Sequence, residues 1–298
     1  MTKYIGRFAP SPTGPLHFGS LVTAVASYLQ AQANNGIWLV RIEDIDPPRE
    51  DLQSKQQILD CLEAHGFIFD RPLLQSTRLQ HYAKIIKNFL DNGFAYKCKC
   101  SRKILRKNNP VGRNGIIYPG TCRNLFHKST DIEAVRFLTK NSQIEFNDVL
   151  QGKQRCNLEK ESGDFLIRRG DGLFSYQLAV AIDDCHQKIS QVVRGSDLID
   201  STFCQIAIFK ALKLTPPTYM HTPIAVNNLG EKLSKQTGAS TLNLESPEEN
   251  LYKVLFFLKQ NPPNSLRNLT LQLIWEWAIN NWKPKNLLGL RAMPERNY

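Results

Sequence analysis

Residues 6–20, with the sequence G-R-F-A-P-S-P-T-G-P-L-H-F-G-S, constrain the fold more than any other stretch. Apolar residues around Ile5 and Phe8 predict a short strand, and the prolines and glycines that follow indicate a tight loop. Later apolar residues recur at helical spacing, with Gly19 or Ser20 as the expected N-cap. A helix N-terminus after such a turn favours an anion, although an ordinary β–α connection has the same pattern.

A second strand is predicted at residues 37–42, where a continuous apolar run follows Asn35-Gly36. Such a run is typical of a parallel strand that is buried on both faces. Glu43 and Asp44 follow directly, at the sheet edge where doubly wound folds bind ligands. The pattern predicts an α/β fold with a parallel sheet, while the two carboxylates alone are more typical of a solvated acidic loop.

Composition narrows the class of protein and its compartment. The 298 residues carry a formal net charge of +11, and 42% of them are hydrophobic. The length allows two or three domains, and no apolar run approaches the ~18 residues of a membrane span. Seven cysteines, two of them in a C-x-C pair, favour free thiols or a metal over disulfides. Because no signal pattern precedes the first strand, we expect a cytoplasmic protein without a membrane partner.

Positive charge is concentrated in residues 95–130, which contain nine basic residues and no Asp or Glu. Such a segment suits a polyanion such as RNA. The same segment contains Cys98 and Cys100, and Cys122 follows beyond a Gly-rich turn. Thiolates are ligands that zinc prefers, and Tyr118, His127 or water could complete a tetrahedral site. Unliganded thiols in a loop would give the same pattern.

Two motifs that lie far apart in the chain carry a resemblance to a known family. P-S-P-T-G-x-L-H-x-G, which includes His17, and the K-L-S-K-Q of residues 232–236 resemble the two nucleotide-binding motifs of class I aminoacyl-tRNA synthetases. R-F-A-P-S at residues 7–11 and R-I-E-D at residues 41–44 narrow the resemblance to the glutamyl branch. The fold class that this implies is α/β, with a class I synthetase-type Rossmann nucleotide-binding domain.

The resemblance divides the chain into four parts. Residues 1–94 would form the first half of the nucleotide-binding domain, and residues 95–171 a basic, zinc-bearing insertion. Residues 172–236 would form the second half, with the K-L-S-K-Q loop, and residues 237–298 a small C-terminal helical region. Glutamyl-tRNA synthetases continue into an anticodon-binding domain, which we do not expect in this chain.

The resemblance also implies a reaction and its residues. L-Glutamate would be activated by ATP and Mg²⁺, without tRNA, to give glutamyl-adenylate and pyrophosphate. The expected catalytic residues, which stabilise the developing charge, are His17 and Lys235. The expected ATP-binding residues are His17, Gly19, Ser20, Lys232, Ser234 and Lys235. Those expected to bind glutamate are Arg7, Phe8, Ala9, Pro10, Ser11, Glu43, Tyr176 and Arg194, with Glu43 on the α-amino group and the two arginines on the side-chain carboxylate.

A resemblance to a smaller group within the glutamyl branch implies a metal site and the acceptor of the glutamyl group. Some short glutamyl-synthetase relatives bind zinc through C-x-C…Y-x-x-x-C, which implies one structural Zn²⁺ on Cys98, Cys100, Tyr118 and Cys122, with His127 as the alternative fourth ligand. Together with R-I-E-D-I-D-P-P-R-E, this pattern looks most like the glutamyl-Q tRNA(Asp) synthetases. That family transfers glutamate to queuosine in the anticodon of tRNA(Asp), and we expect a monomer.

Two alternative functions remain open on the sequence. One is a minimal glutamyl-tRNA synthetase that charges the 3′ end of tRNA(Glu). The other is a synthetase-derived RNA-binding module without turnover, against which the intact catalytic motifs argue.

The chain departs from the family pattern at two places, and periodicity predicts the remaining elements. Ile45 stands where Thr is frequent, and Phe203-Cys204 stand where Pro-Arg is usual, which predicts the loss of a backbone or RNA contact. Helices are predicted at residues 51–65, 77–92, 201–212, 247–259 and 266–282, whereas residues 173–184 fit a helix or a strand. We expect His65 to be structural and Trp275, Trp277 and Trp282 to be packing residues.

Overall fold

The computed structural model describes residues 3–125, 133–227, 229–233 and 242–295. Its strands are β1 (Ile5–Phe8), β2 (Ile37–Ile42), β3 (Leu73–Leu74), β4 (Ala95–Cys98), β5 (Val111–Gly112), β6 (Gly115–Ile116), β7 (Ala134–Phe137), β8 (Gln143–Asp148), β9 (Gly152–Asn157), β10 (Leu166–Arg168), β11 (Gln191–Gly195), β12 (Thr218–Thr222), β13 (Ile224–Val226) and β14 (Ala292–Pro294). Its α-helices are α1 (Phe18–Gln32), α2 (Ser54–Ala64), α3 (Leu79–Asp91), α4 (Arg102–Asn108), α5 (Leu158–Glu161), α6 (Tyr176–His186), α7 (Ile199–Ala211), α8 (Pro247–Phe257) and α9 (Leu271–Asn281).

Parallel strands from two distant parts of the chain lie next to each other. β1 pairs with β2, with Ile5 opposite Ile37, and β2 pairs with β3. β11 pairs in parallel with β12. The backbone N–H of Ser190 donates to the carbonyl of Ile5 at 2.9 Å, so β11 begins beside β1. The carboxyl ends of β1, β2 and β11 therefore lie at one edge, as expected for a doubly wound fold.

The N-terminus of α1 differs from the sequence prediction by two to three residues. The N-cap is His17, not Gly19 or Ser20, and the helix begins at Phe18. The backbone N–H of His17 donates to Ser20 Oγ at 2.8 Å, and His17 Nδ1 accepts from the backbone N–H of Ser20 at 3.4 Å. This reciprocal capping box occupies Nδ1 of the ring, and a rule based on the usual cap residues does not anticipate a histidine here.

The segment between the two halves folds as two separate pieces of sheet. β4, β7 and β10 form an antiparallel sheet. The β8–β9 hairpin instead joins the sheet of the second half, where Asp148 of β8 lies opposite Tyr219 of β12 in parallel pairing. Residues assigned to the insertion by sequence thus reach the strands that carry the catalytic edge.

The C-terminal helices pack onto α1 and share its core. The rings of Phe18 and Phe257 are 5.6 Å apart, and those of Tyr28 and Trp275 are 4.9 Å apart. Trp282 is also buried, and its indole N–H donates to a side-chain oxygen of Gln30 at 2.8 Å. These contacts confirm the predicted packing role of Trp275 and Trp282. The sequence did not predict β14, which pairs in parallel with β13.

The remaining predictions of secondary structure are confirmed with small shifts in their bounds. Residues 173–184, which periodicity left open, form α6, because the Ser175 hydroxyl caps it by accepting from the N–H of Leu178 at 3.3 Å. Ile45, Phe203 and Cys204, the departures from the family pattern, are all buried in the core around α6 and α7. Core packing therefore accommodates all three residues.

Two further expectations concern cysteines and histidines. All seven cysteines are free thiols. His65 is fully buried, with Nδ1 2.7 Å from the carbonyl of Cys61 and Nε2 3.1 Å from the side-chain nitrogen of Asn250, which confirms a structural role. Across the described ranges, no helix combines the length and the apolar character that crossing a membrane requires.

Candidate active site

A cleft of about 510 Å³ opens at the carboxyl ends of β1, β2 and β11. Its walls come from the loop before α1, the start of α6 and the segment after β13. It brings together twelve of the residues that the sequence singles out, namely Arg7, Phe8, Ala9, Pro10, Ser11, His17, Gly19, Ser20, Glu43, Tyr176, Arg194 and Lys232. Ser234 and Lys235, the other predicted ATP-binding residues, lie outside the described residues.

Two arginines and two carboxylates form a buried network, of which Arg7 and Glu43 line this cleft. Arg7 Nε donates to Asp184 Oδ1 at 3.1 Å, and its NH2 group donates to Oδ2 at 3.5 Å. Arg41 donates to the same Oδ1 at 2.8 Å and to Glu43 Oε1 at 3.3 Å. All four side chains are at least nine-tenths buried. The network fixes β1, β2 and α6 relative to one another.

Burial and charge act differently on the two carboxylates. Burial would raise the pKa of Asp184, but the charges of Arg7 and Arg41 outweigh it and hold that pKa below its ordinary value. For Glu43, burial dominates over the attraction of the same arginines and raises its pKa to about 7. Glu43 is therefore the carboxylate whose charge depends most on what else enters the cleft.

Arg194 lies at the end of β11 in a different environment. Its NH1 group donates to the Tyr176 hydroxyl at 3.1 Å, and its NH2 group donates to Thr202 Oγ1 at 2.7 Å and Gln205 Oε1 at 2.9 Å. Its Nε donates to His221 Nε2 at 3.2 Å. Within the described parts of the chain, no carboxylate forms an ion pair with Arg194. It is a buried cation held by neutral acceptors.

The phosphate side of the cleft is formed by the N-terminus of α1. His17 caps this helix through Nδ1, and its ring lines the cleft. A Cβ on Gly19 would lie 3.2 Å from the His17 ring, so glycine allows the ring its position. Lys232 lies across the cleft and pairs with Asp197 at 2.6 Å. A helix N-terminus with a ring N–H and an ammonium nearby suits a polyphosphate.

Three thiols converge at a second site, between β4 and the turn before Cys122. The sulfur atoms of Cys98, Cys100 and Cys122 lie within 4.8 Å of one another. The buried hydroxyl of Tyr118 lies 3.4 Å from the sulfur of Cys98 and 3.5 Å from that of Cys100. His127, the alternative fourth ligand, lies outside the described residues.

The spacing of these atoms fits a tetrahedral zinc site. With Zn–S near ~2.3 Å and Zn–O near ~2.0 Å, neighbouring sulfurs lie about 3.8 Å apart and sulfur–oxygen pairs about 3.5 Å apart. The Cys100 and Cys122 sulfurs are 3.6 Å apart, and both measured sulfur–oxygen distances lie close to the second value. Arg136 Nε donates to the Cys98 sulfur at 3.2 Å. The donor set therefore fits zinc.

Comparison with known proteins identifies the family. Residues 4–259 match the family model described as tRNA synthetases class I (E and Q), catalytic domain. A Glutamyl-Q tRNA(Asp) synthetase of Dechloromonas aromatica (strain RCB) is 45% identical over 284 residues, which are 94% of this chain and 94% of that protein. The chain belongs to the glutamyl-Q tRNA(Asp) synthetase family.

Two further members of the glutamyl-Q tRNA(Asp) synthetase family match over nearly their whole length. The one from Vibrio parahaemolyticus serotype O3:K6 is 42% identical over 96% of this chain and 95% of its own. The one from Pseudomonas aeruginosa PAO1 is 43% identical over 99% of this chain and 98% of its own.

Two crystal structures share the fold. The glutamate-tRNA synthetase from Elizabethkingia anophelis superposes with a TM-score of 0.81 at 23% identity, over 98% of this chain and 68% of that chain. A glutamate tRNA ligase from Elizabethkingia meningosepticum, in complex with its amino acid, gives 0.82 at 24% identity, over 99% of this chain and 67% of the other. The class I synthetase catalytic fold and its mixed α/β character are thus established for this family member.

Several residues of the site were not singled out by sequence. Arg41 entered only as part of the R-I-E-D motif, and Asp184 only as the last residue of the stretch 173–184. Each of them is a charged residue within a stretch that is otherwise predicted to be buried. A buried charge requires a partner of opposite charge, and this could have pointed to both residues. Asp148 and His221 carried no local signal at all, because the pairing of β8 with β12 brings them together.

Proposed function

We propose that this enzyme activates L-glutamate with ATP and transfers it to the queuosine base in the anticodon of tRNA(Asp). The observation that carries the amino-acid assignment is the pair of opposite charges in one cleft. Glu43 offers a carboxylate to an α-ammonium group, and Arg194 offers a cation without a carboxylate partner among the described residues. Glutamate carries both matching charges.

The first step is a displacement at phosphorus. A carboxylate oxygen of glutamate attacks the α-phosphorus of ATP, the bond to the β-phosphate oxygen breaks, and pyrophosphate leaves. Catalysis in such a step depends mainly on positioning and on neutralisation of charge. The N-terminus of α1 with His17 would bind phosphate oxygens, Lys232 and Lys235 would approach from the other side, and Mg²⁺ bound with ATP supplies further positive charge.

The second step transfers the glutamyl group to a hydroxyl. A hydroxyl oxygen of the acceptor attacks the carbonyl carbon of the adenylate, the bond to the phosphate oxygen breaks, and AMP leaves. Queuosine presents a vicinal diol, as the terminal ribose of a tRNA does, so the same chemistry serves either acceptor. The names of the relatives favour queuosine of tRNA(Asp) as the acceptor. We place the reaction in the cytoplasm, where tRNA and free thiols are found.

The basic insertion supplies a surface for RNA. Much of its charge is already paired, because Arg123 contacts Glu159 and Asp164, and Arg113 contacts Glu161. Helix α4 differs, since Leu105 is its buried residue and its exposed basic side chains are Arg102, Lys103, Arg106 and Lys107. We assign α4 to phosphate contacts with the tRNA, and one structural Zn²⁺ on Cys98, Cys100, Tyr118 and Cys122 would hold the insertion in shape.

Pyrophosphate exchange and product mapping test this function. The enzyme with ATP and glutamate alone should exchange labelled pyrophosphate, which an RNA-binding module without turnover would not do. Labelled glutamate should then appear on total tRNA even when the 3′-terminal nucleotides have been removed enzymatically before the reaction. It should be absent from tRNA that lacks queuosine. Exchange that appears only after addition of tRNA would contradict the independent first step.

A further inference from the structure

The acceptors around Arg194 share one property, which is that none of them is charged. They are the hydroxyls of Tyr176 and Thr202, the amide oxygen of Gln205, the backbone carbonyl of Leu198 and a ring nitrogen of His221. We propose that Thr202, Gln205 and His221 determine the preference for glutamate over glutamine, because they fix Arg194 without cancelling its charge. The inference rests on the proposed function, since it explains how that glutamate site distinguishes an anionic from a neutral side chain.

The two other arginines at the site show the opposite arrangement. Arg7 and Arg41 share Asp184, and Arg41 also contacts Glu43. Two cations and two anions therefore lie together, and their charges largely cancel. An incoming carboxylate gains most from a cation that has no anionic partner and is already desolvated. Of the three, Arg194 meets that description.

The guanidinium of Arg194 has five N–H donors, and counting them locates the one that remains. The Nε–H group donates to His221, and one hydrogen of NH1 donates to Tyr176. The two hydrogens of NH2 point towards Thr202 and Gln205. One NH1 hydrogen is left, beside the Tyr176 hydroxyl. Since Arg194 and Tyr176 both line the cleft, that hydrogen is available to a ligand there.

Asp148 sets the orientation of the histidine acceptor. Asp148 Oδ2 lies 2.6 Å from His221 Nδ1, and the backbone N–H groups of Leu150 and Gln151 donate to Asp148 Oδ1 at 3.0 and 2.9 Å. With a proton on Nδ1, Nε2 is left as the acceptor for Arg194. Burial keeps His221 neutral by lowering its pKa to about 4, despite its hydrogen bond with Asp148. The imidazole thus separates a carboxylate from the guanidinium, and both residues are positioning residues.

Gln205 offers a nearly isosteric test. Its side chain is 1% exposed, and its amide nitrogen has no hydrogen-bond partner among the described residues. Gln205→Glu therefore replaces an unpartnered NH₂ group with an oxygen and breaks no hydrogen bond seen in the structure. The new carboxylate would lie against NH2 of Arg194, where Gln205 Oε1 now accepts at 2.9 Å, and would form an ion pair.

The test measures pyrophosphate exchange with glutamate and with glutamine for the full-length enzyme. For Gln205→Glu, we expect KM for glutamate to rise about tenfold or more, and the glutamate-to-glutamine ratio of kcat/KM to fall by at least about tenfold. KM for ATP should stay within about twofold, because no phosphate contact changes. A merely structural role would not separate the two substrates or the two KM values.

Gln187→Glu is the matched control. The Gln187 amide oxygen accepts from NH1 of Arg41 at 2.9 Å, so the same substitution places a carboxylate against an arginine that already has two carboxylate partners. We expect the glutamate-to-glutamine ratio to stay near that of the wild type. Gln205→Met, which removes the acceptor and adds no charge, should weaken glutamate binding but keep that ratio largely intact.

Thermal unfolding shows first whether Gln205→Glu is folded. If it is not, Thr202→Asp takes its place, since Thr202 Oγ1 accepts from the same nitrogen of Arg194 at 2.7 Å. If Gln205→Glu, or Thr202→Asp in its place, is folded and keeps the wild-type glutamate-to-glutamine ratio, the inference is overturned. Equal changes in KM for glutamate and ATP in that variant would overturn it too. If the wild type itself gives no exchange with glutamate, the proposed function fails, which is a separate result.

Discussion

Arg7 donates two hydrogen bonds to Asp184, from Nε at 3.1 Å and from NH2 at 3.5 Å, although the two residues lie 177 positions apart. The pair joins β1 to α6 and thereby joins the two halves of the nucleotide-binding fold. Arg41 completes the arrangement by binding both Asp184 and Glu43. The residues that position glutamate in the proposed reaction thus also hold the domain together.

Arg41→Met should therefore destabilise the protein strongly. Removing this fully buried cation leaves Glu43 without the ion-pair partner that the structure gives it. Loss of one member of a buried ion pair costs about 3–5 kcal/mol of the free energy of unfolding. Urea denaturation measures this cost. Arg155→Met is the control, because its pair with Glu145 is exposed and should contribute less than about 1 kcal/mol. Equal effects of the two substitutions would contradict the network's role.

Glutamate affinity should weaken as the pH falls below about 7. Burial raises the pKa of Glu43 to about 7, so acid protonates this residue and removes the charge that would bind the α-ammonium group. The folded-state pKa is raised, so protonation is tolerated by the fold while it disfavours the ligand. KM for glutamate, measured by exchange from pH 5.5 to 8, should rise on the acid side, with KM for ATP as the control. Glu43→Gln should bind weakly at every pH and lose this dependence. A persistent acid limb in Glu43→Gln would assign the titration to another group.

Zinc content should depend on Tyr118. Metal analysis of the purified protein should give one zinc ion per chain, lost or much reduced in Tyr118→Phe and retained in His127→Ala. The reason is geometric, because the Tyr118 hydroxyl lies 3.4 and 3.5 Å from two of the three thiols. Gly163→Ala should also lower the zinc content. The Cβ of the new alanine would lie 2.4 Å from the Tyr118 backbone nitrogen, and the φ of +67° at position 163 favours glycine. The reverse pattern in Tyr118 and His127 would make His127 the fourth ligand.

Transfer to tRNA should depend on the exposed basic face of α4. The double substitution Lys103→Ala and Arg106→Ala removes two exposed cations that lie outside the catalytic cleft. Each lost phosphate contact lowers the slope of log affinity against log salt by roughly 0.7–0.9. We expect weaker tRNA binding, a shallower salt dependence and unchanged pyrophosphate exchange. The matched control is Lys153→Ala with Arg155→Ala, since both pair with Glu145. If the two double variants bind tRNA equally, α4 is not the RNA surface.

Local sequence patterns predicted the elements well where the signal was periodic or motif-based. The buried run of β2 and the amphipathic α3 formed as expected, because burial of one face decides each of them. The cleft residues in the family motifs also came together. The predicted N-cap of α1 was wrong because the interaction of His17 with Ser20 depends on the conformation of the local turn and not on residue type alone.

Long-range pairing set the limit of sequence-based prediction. Asp148 meets His221 because β8 of the insertion pairs with β12, and nothing in either segment indicates the other. Arg194 was identified as a binding residue, but its neutral surroundings come from α7 and β12 and could not be predicted from β11. Partners 27 and 73 positions apart along the chain require the fold to be known.

We propose that the glutamyl acceptor is queuosine in an anticodon and not the 3′ end of a tRNA. The catalytic cleft and the basic face of α4 would bind a short A-form stem that ends in unstacked bases. They would do so through contacts to the phosphates and by recognising the shape of the stem. The most direct measurement is transfer of labelled glutamate to an isolated anticodon stem-loop of tRNA(Asp), with and without queuosine. We predict that the queuosine-containing stem-loop is a substrate and that the unmodified one is not. Efficient charging of unmodified tRNA(Glu) at its 3′ end, with no transfer to the stem-loop, would contradict the account.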